Sequence, residues 1–596
     1  MKNILIILLS IIPLWLNATT YYVAASGGSD SNAGTNIAAP WATLAKAFAT
    51  PIAGDTVYLR GGTWSPTSMV EHYPNKYGGG IGHNGTHNAP VCFIAYPDDY
   101  LAGNPPILDC INFTSTSSSD SGLRLYGSTY IKIKGLTVKN CKEKVYNQYI
   151  AGVDLNSVGW IHLENMVSYG NGGYGFQWNG FDTLYVTNCD AYSNADIWSA
   201  TPGNKADGFG GGSGGSDVDT FKIAYYYGCR AWKNSDDGLD HGSTKQFDIS
   251  NCWIWNNGYL ITGGDTITEG GVGLKIAPSN VRIPTKRAVH NCIISDDAGV
   301  IIQNLSQPYD GPVASIFNNF VYRSPVAYAD MSEGWIPSDS TGRVTCRNNI
   351  GFAGTANNPG TIYEAWFKAW YYGYPYHVTQ DHNVWKQRGV TETYYTIPNT
   401  DYSVTADDFV SLDTAQLRWA RQADGSLPVI TFGTLTETSD LINTGDSTGF
   451  AALGLTYIGT APDLGYAEYN AEEEPPATAP LISTTAVTNI TSKRATGGGN
   501  VTSDGGDAIT ERGVCWSTST NPTTASSKVT SGTGEGSFTV NITGLLSNTT
   551  YHVRAYAINS IDTSYGSDVS FTTREWGPVK SGSVYVFSGG YIIKIE

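Results

Sequence analysis

Short runs of alternating apolar and polar residues fill the middle of the chain. They read LTVKNCKEK, IHLENMVSYGN, LYVTNCDAYSN, IAYYYGCRAWKN, FDISNCWIWNN, RAVHNCIISDD, ASIFNNFVYRS and GRVTCRNN. Each is a β-prone run, then a polar or small residue, then Cys or a substitute. Anchored on Cys141, Met166, Cys189, Cys229, Cys252, Cys292, Phe320 and Cys346, the steps are 25, 23, 40, 23, 40, 28 and 26 residues. Strands repeating near 25 residues predict the coils of a parallel β-helix. The steps of 40 are coils with inserted loops, GFGGGSGGSDVDT and YLITGGDTITEGG. Equivalent residues then stack roughly 4.8 Å apart. The cysteines become an interior ladder of small side chains rather than a disulfide framework.

A second ladder follows the first: Gly175-Phe176, Gly208-Phe209, Gly238-Leu239, Gly273-Leu274 and Gly299-Val300. Alternation points the apolar member inward and its flanking residues outward. Asp207 and Asp237 then occupy equivalent positions on neighbouring coils. Asp240 and Lys275 do so on the next pair, with Asp236 beside Asp237. Four carboxylates and one amine therefore converge, although they span positions 207 to 275.

The flanks are patterned differently. WATLAKAFATP is a short amphipathic stretch, expected to cap the first coil. Residues 1–18 have a basic start and an apolar run, the pattern of a secretory signal peptide. The β-helix is expected over 19–470, with an aromatic-rich segment, YEAWFKAWYYGYPYHV, where the repeat fades. NAEEEPPATAP reads as a linker around 471–480. Alternating strands over 481–573, with Tyr551 placed like a tyrosine corner, resemble a fibronectin type III-like β-sandwich. Residues 574–596 form a tail of no assigned role.

Composition sharpens this picture in three ways. The 69 glycines, 38 tyrosines and 16 tryptophans in 596 residues suit strands and turns rather than bundles. The nine cysteines cannot all pair within a monomer, and the absence of CxxC argues against zinc. A net charge of −17 excludes a general nucleic-acid surface. No later run is long enough for a membrane span. A monomer exported to the periplasm, cell surface or medium is expected.

The carboxylate patch suits a hard cation, and its irregular, oxygen-rich spacing favours Ca2+ over Mg2+. The simpler alternatives are a solvated acidic turn, a calcium that only clamps two coils, or a salt bridge from Lys275 to Asp240. A uronic acid bound through calcium has an acidified C5 proton, which a neutral amine can remove to start β-elimination. Lys205, Lys233, His241, Lys245, Arg282 and Arg287 are candidates to contact neighbouring sugar carboxylates. Trp253 and Trp255 share a strand face, where packing between coils is the simpler reading.

NKADGFG, CRAWKNSDDGLDHG, NCWIWNNG and GGVGLKI, with DDFVSLD, ARQADGSLP and GTAPDLG further on, resemble polysaccharide lyase family 9 over most of residues 20–470. That resemblance implies a right-handed β-helix pectate lyase. It implies calcium held by Asp207, Asp236, Asp237 and Asp240, and Lys275 as the Brønsted base. The implied partner is an acidic plant cell-wall polysaccharide, either polygalacturonate or rhamnogalacturonan. Two rivals stand beside it. A β-helix glycoside hydrolase also clusters aspartates, but no GHG or RIK segment occurs here. A non-catalytic adhesin would use calcium structurally.

Overall fold

The computed structural model describes the chain from Ala18 onward, apart from loop segments. The longest of these are 75–81, 212–222, 277–285, 304–313, 332–343, 353–366, 370–377, 386–403, 471–476 and 577–583. The proposed signal segment up to Asn17, most of the first insert, Lys245, Arg282 and much of the linker lie outside the described residues, whereas the second insert forms an antiparallel hairpin, Tyr259–Thr262 with Asp265–Thr268. Contacts divide the chain into Met1–Asn470 and Ala471–Glu596.

The first unit is a parallel β-helix with three faces. The coils run through strands on each face, and the strands on these faces pair in parallel with their equivalents on neighbouring coils. The first and second faces merge where the long strands Ala151–Glu164 and Phe176–Thr187 bend from one into the other. The third face uses short strands such as Thr137–Lys139, Val167–Tyr169, Asp190–Tyr192, Arg230–Trp232 and Trp253–Trp255. Alternation explains which way side chains point: in Ile131–Lys134 both isoleucines are buried and both lysines are half-exposed. The helix Leu44–Ala49 lies where the amphipathic stretch predicts it. Thr43 caps it by accepting from the Lys46 amide, and its Phe48 stacks on Phe93 at 4.0 Å.

The turn from the second face to the third explains the NC spelling of the repeat. The residue before each anchor takes a left-handed conformation, which Asn and Gly tolerate best. Asn165, Asn188, Asn251 and Asn291 hold it at φ between 51° and 55°, and Gly228 at 64°. The next residue, Met166, Cys189, Cys229, Cys252 or Cys292, turns into the core, and all nine cysteines are free.

Three anchors need correction. Val167 pairs with Thr137, so the rung before Met166 is Leu136 and not Cys141. Phe320 pairs with Ile293 and Ile350 with Phe320, so the rungs after Cys292 are Asn319 and Asn349. Cys346 sits on the second face, opposite Ile316. The thiol ladder therefore becomes an amide ladder: Asn319 donates to Asn349 at 2.9 Å, and Asn349 to Asn383 at 2.7 Å. Strands Phe367–Ala369 and Val378–Asp381 carry the repeat past the point where the sequence pattern fades. The rest of the aromatic-rich segment lies outside the described residues.

Residues from about 404 to 469 pack on the third face. Phe409, Leu417 and Phe432 bury Trp253, Trp255 and Phe320 there. Trp255 also stacks on Trp232 at 4.8 Å, so these tryptophans serve packing, as the simpler reading held. The second unit holds two antiparallel sheets built around Val514, Phe538, Tyr551 and Val553. The Tyr551 hydroxyl accepts from the Leu546 amide at 3.1 Å. A hairpin, Val584–Ser588 with Tyr591–Ile595, ends the chain. No helix among the described residues is long and apolar enough to cross a membrane.

Candidate active site

The loops from the third face to the first carry the acidic residues, and a ladder of amides sets their height. Asn171 donates to Asn194, Asn194 to Asn234 and Asn234 to Asn257, at 2.8 to 2.9 Å. Cys141 takes the rung before them, its amide donating to Asn171 Oδ1. Each buried amide is satisfied by its neighbour, so the loops cannot slip relative to one another without orphaning a polar group. Asn171, Asn194, Asn234 and Asn257 each fall five residues after an anchor of the repeat. That spacing is the signal by which the sequence could have revealed them.

Ser235 and Asp236 follow Asn234 directly. The first-face register then falls as the Gly-apolar ladder predicts. Phe176 pairs with Phe209, Phe209 with Leu239, Leu239 with Leu274 and Asp240 with Lys275. Ligand oxygens of Asp207, Asp236 and Asp237 lie within 4.8 Å of one another. Asp207 and Asp237 are almost fully buried, at 3% and 2% exposure. Asp207 Oδ1 accepts from the Asp237 amide at 3.2 Å, and Asp237 Oδ1 from the Val272 amide at 2.8 Å. Lys275 Nζ reaches Asp237 Oδ2 at 3.1 Å and Asp240 Oδ2 at 3.0 Å. Asp240 stands outside the tight group of three and faces the lysine instead.

One ammonium against four carboxylates leaves the cluster short of positive charge. Burial and then the charges of Asp237 and Asp236 push Asp207 well above the carboxylate range. Burial and Asp237 raise Asp236 to about 8. Burial raises Asp240 to about 6 despite the opposing pull of Lys275. Asp237 is raised by burial, with Lys275 and the Val272 amide opposing. Burial pulls the Lys275 ammonium down, but Asp237 and Asp240 outweigh it and hold it above the ordinary lysine value. Three converging, oxygen-only side chains, two buried and Asp236 half-buried, that resist ionising together match the donor chemistry of Ca2+.

Other sequence candidates fare differently. His241 is fully buried, because alternation after the outward Asp240 turns it inward. Its Nδ1 lies 3.1 Å from the Tyr226 hydroxyl and its Nε2 2.6 Å from Thr244 Oγ1. Arg287 is 4% exposed; its guanidinium covers the Phe247 ring at 4.8 Å, and burial lowers it to about 9. Both are corrections: neither side chain reaches a surface groove. Lys205 is half-buried two residues before Asp207, and Lys233 is exposed in the left-handed turn that opens the Asp236 loop. Tyr174, one rung before Asp207, was not singled out as a site residue. Burial and then the charges of Asp207, Asp240, Asp236 and Asp237 raise its phenol, which places it beside the cluster.

Comparison with known proteins is consistent with this geometry. A family model described as the Pel9A-like, right handed beta helix region matches residues 21–361. Pectate lyase L of Dickeya chrysanthemi is 28% identical over 459 residues, covering 76% of this chain and 90% of that protein. Pectate lyase PEL9 of Emericella nidulans is 28% identical over 349 residues, covering 53% and 75%. Two solved structures share the fold: pectate lyase Pel9A and a rhamnogalacturonan lyase. The first has a TM-score of 0.51 at 23% identity and covers 76% of this chain and 96% of its own. The second has a TM-score of 0.53 at 22% identity and covers 74% and 99%.

Proposed function

The chain belongs to the Pel9A-like, right-handed β-helix family, and from that premise we propose that this polysaccharide lyase is an exported, calcium-dependent enzyme of pectin. It cuts the uronic-acid backbone by β-elimination. The observation that carries this reading is the register that stacks Asp240 on Lys275 beside the tight group of Asp207, Asp236 and Asp237.

Asp207, Asp236 and Asp237 would hold the calcium, with Asp240 close by. When bound, the ion supplies positive charge that acidifies the C5 proton of a uronate and spares Asp237 and Asp240 from serving as counter-charges to Lys275. Without that charge Lys275 is locked as an ammonium by two carboxylates. With it, the amine loses its proton more readily and acts as a base. Lys275 takes the C5 proton, the C5–H electron pair forms the C4–C5 double bond, and the C4–O4 bond breaks. The departing oxygen leaves with a proton from solvent, giving a new non-reducing end that is 4,5-unsaturated.

Polygalacturonate is the first substrate to test. Rhamnogalacturonan is the second, since one structural relative is a rhamnogalacturonan lyase. Purified protein is incubated with each polymer, and ultraviolet absorbance is compared with reducing ends. Matching increases support a lyase; reducing ends without absorbance indicate a hydrolase. Binding without either product identifies the non-catalytic adhesin.

A further inference from the structure

Trp198 is 47% exposed and Ile197 beside it equally so, on the loop that leads from Asn194 to Asp207. Water-facing indoles are unusual unless they meet a partner. The described residues of this loop are braced. The Ala195 amide donates to Asn171 O at 2.9 Å, the Asp196 amide to Ser235 Oγ at 3.3 Å, and the Gly203 amide to Asp196 O at 2.8 Å. Ser235 Oγ closes the frame on Gly203 O at 3.2 Å. The loop then folds back across a coil to an earlier one, where the Trp198 amide donates to Glu143 Oε2 at 3.0 Å.

Two glycines let the intervening coil lie close against the earlier one. On the intervening coil a Cβ at Gly172 would meet Glu143 N at 2.7 Å, and one at Gly173 would meet Ile150 O at 2.6 Å. The coil between therefore packs directly on Glu143 and Ile150. Glu143 lies four rungs before Lys275, through Gly152, Gly175, Gly208, Gly238 and Gly273. At strand spacing that is roughly 19 Å along the axis. Lys142 and Lys144, on either side of Glu143, are exposed.

We propose that Trp198 forms a distal sugar subsite, stacking on a pyranose ring of the same acidic polymer several units from the bond cleaved at Lys275. The inference rests on the pectic-polymer reading above and adds where the chain is held. Three observations favour a uronate chain as the occupant. Trp198 lies nine residues before Asp207 in the sequence; the hydrogen bonds of the Ala195, Asp196 and Trp198 amides hold the backbone that carries the ring before binding, which lowers the ordering cost; and the adjoining exposed charges are lysines, complementary to carboxylates.

The test uses full-length protein and two variants, Trp198→Ala and Trp198→Phe, with circular dichroism confirming the fold of each. Retardation in gels containing polygalacturonate or rhamnogalacturonan reads binding without cleavage. Trp198→Ala is expected to weaken binding roughly three- to tenfold, with most of it kept by Trp198→Phe. The fall in kcat/KM should be seen on long polymer and vanish on the shortest oligomer cleaved. Unchanged retardation of Trp198→Ala overturns the proposal. So does an equal loss on the shortest oligomer, which would put the ring at the scissile bond. Loss of a wild-type dimer in Trp198→Ala would also overturn it, identifying a second copy as the occupant. If the wild type is retarded, Trp198→Ala is not, and no unsaturated product forms, the subsite stands and the lyase reading fails.

Discussion

Asp190 and Asp207 lie on the same coil, both buried, and have opposite surroundings. Asp190 holds two arginines: Arg230 at 2.7 and 2.9 Å, and Arg421 at 2.6 Å. Burial works against its charge, but the guanidiniums outweigh it and lower its pKa. Asp207 faces Asp236 and Asp237 with no arginine beside it among the described residues, and burial and those charges push its pKa up. The first arrangement is finished by the chain itself and pins the region near 421 to the third face. The second sets several carboxylates against a single ammonium, Lys275. A buried carboxylate thus reveals its role through what surrounds it.

Replacing Lys275, the proposed base, tests the functional half of this contrast most severely. Lys275→Arg keeps a cation beside Asp237 and Asp240 but cannot give up its proton near neutral pH. It should lose about 10²–10⁴-fold in kcat while the fold, read by circular dichroism, is unchanged. Next in size is the structural half. Asp190→Ala leaves two arginines buried without a counter-charge and should cost about 3–5 kcal/mol in denaturant unfolding.

These two sites were not equally legible in the sequence. The Asp207–Lys275 register could be read because the Gly-apolar pair recurs at every coil and the side-chain period of a strand is two. The Asp190–Arg421 pair could not, since its members are 231 positions apart and no periodicity links them. The amide ladders were missed because their asparagines look like ordinary turn residues until the register is known. His241 and Arg287 were misplaced because a polar residue was assumed to face water. Their buried partners, Tyr226 and Phe247, come from other strands.

Smaller effects sharpen the comparison further. Asp207→Asn removes a buried acid that must take up a proton as the chain folds, so in chelator near neutral pH the variant should unfold less readily than wild type. The same substitution should abolish stabilisation by added calcium. Stability against pH should separate the two sites by sign. Asp236 is raised to about 8 from an unfolded value of 3.8, so its contribution is lost as pH rises from about 4 to 8 in chelator. Asp190 is lowered, so its contribution is present above the unfolded value and lost as pH falls through the folded one. Thermal melts of Asp236→Asn and wild type across that range should converge at low pH and, once calcium is removed, diverge at high pH.

The central claim is that the carboxylate group becomes catalytic only when a calcium ion frees Lys275. It is tested most directly by following ultraviolet absorbance on polygalacturonate and rhamnogalacturonan while calcium is titrated back into chelator-stripped enzyme. The account predicts no unsaturated product before the addition and recovery to the full rate at saturation. Undiminished production of unsaturated ends in the stripped enzyme would contradict it.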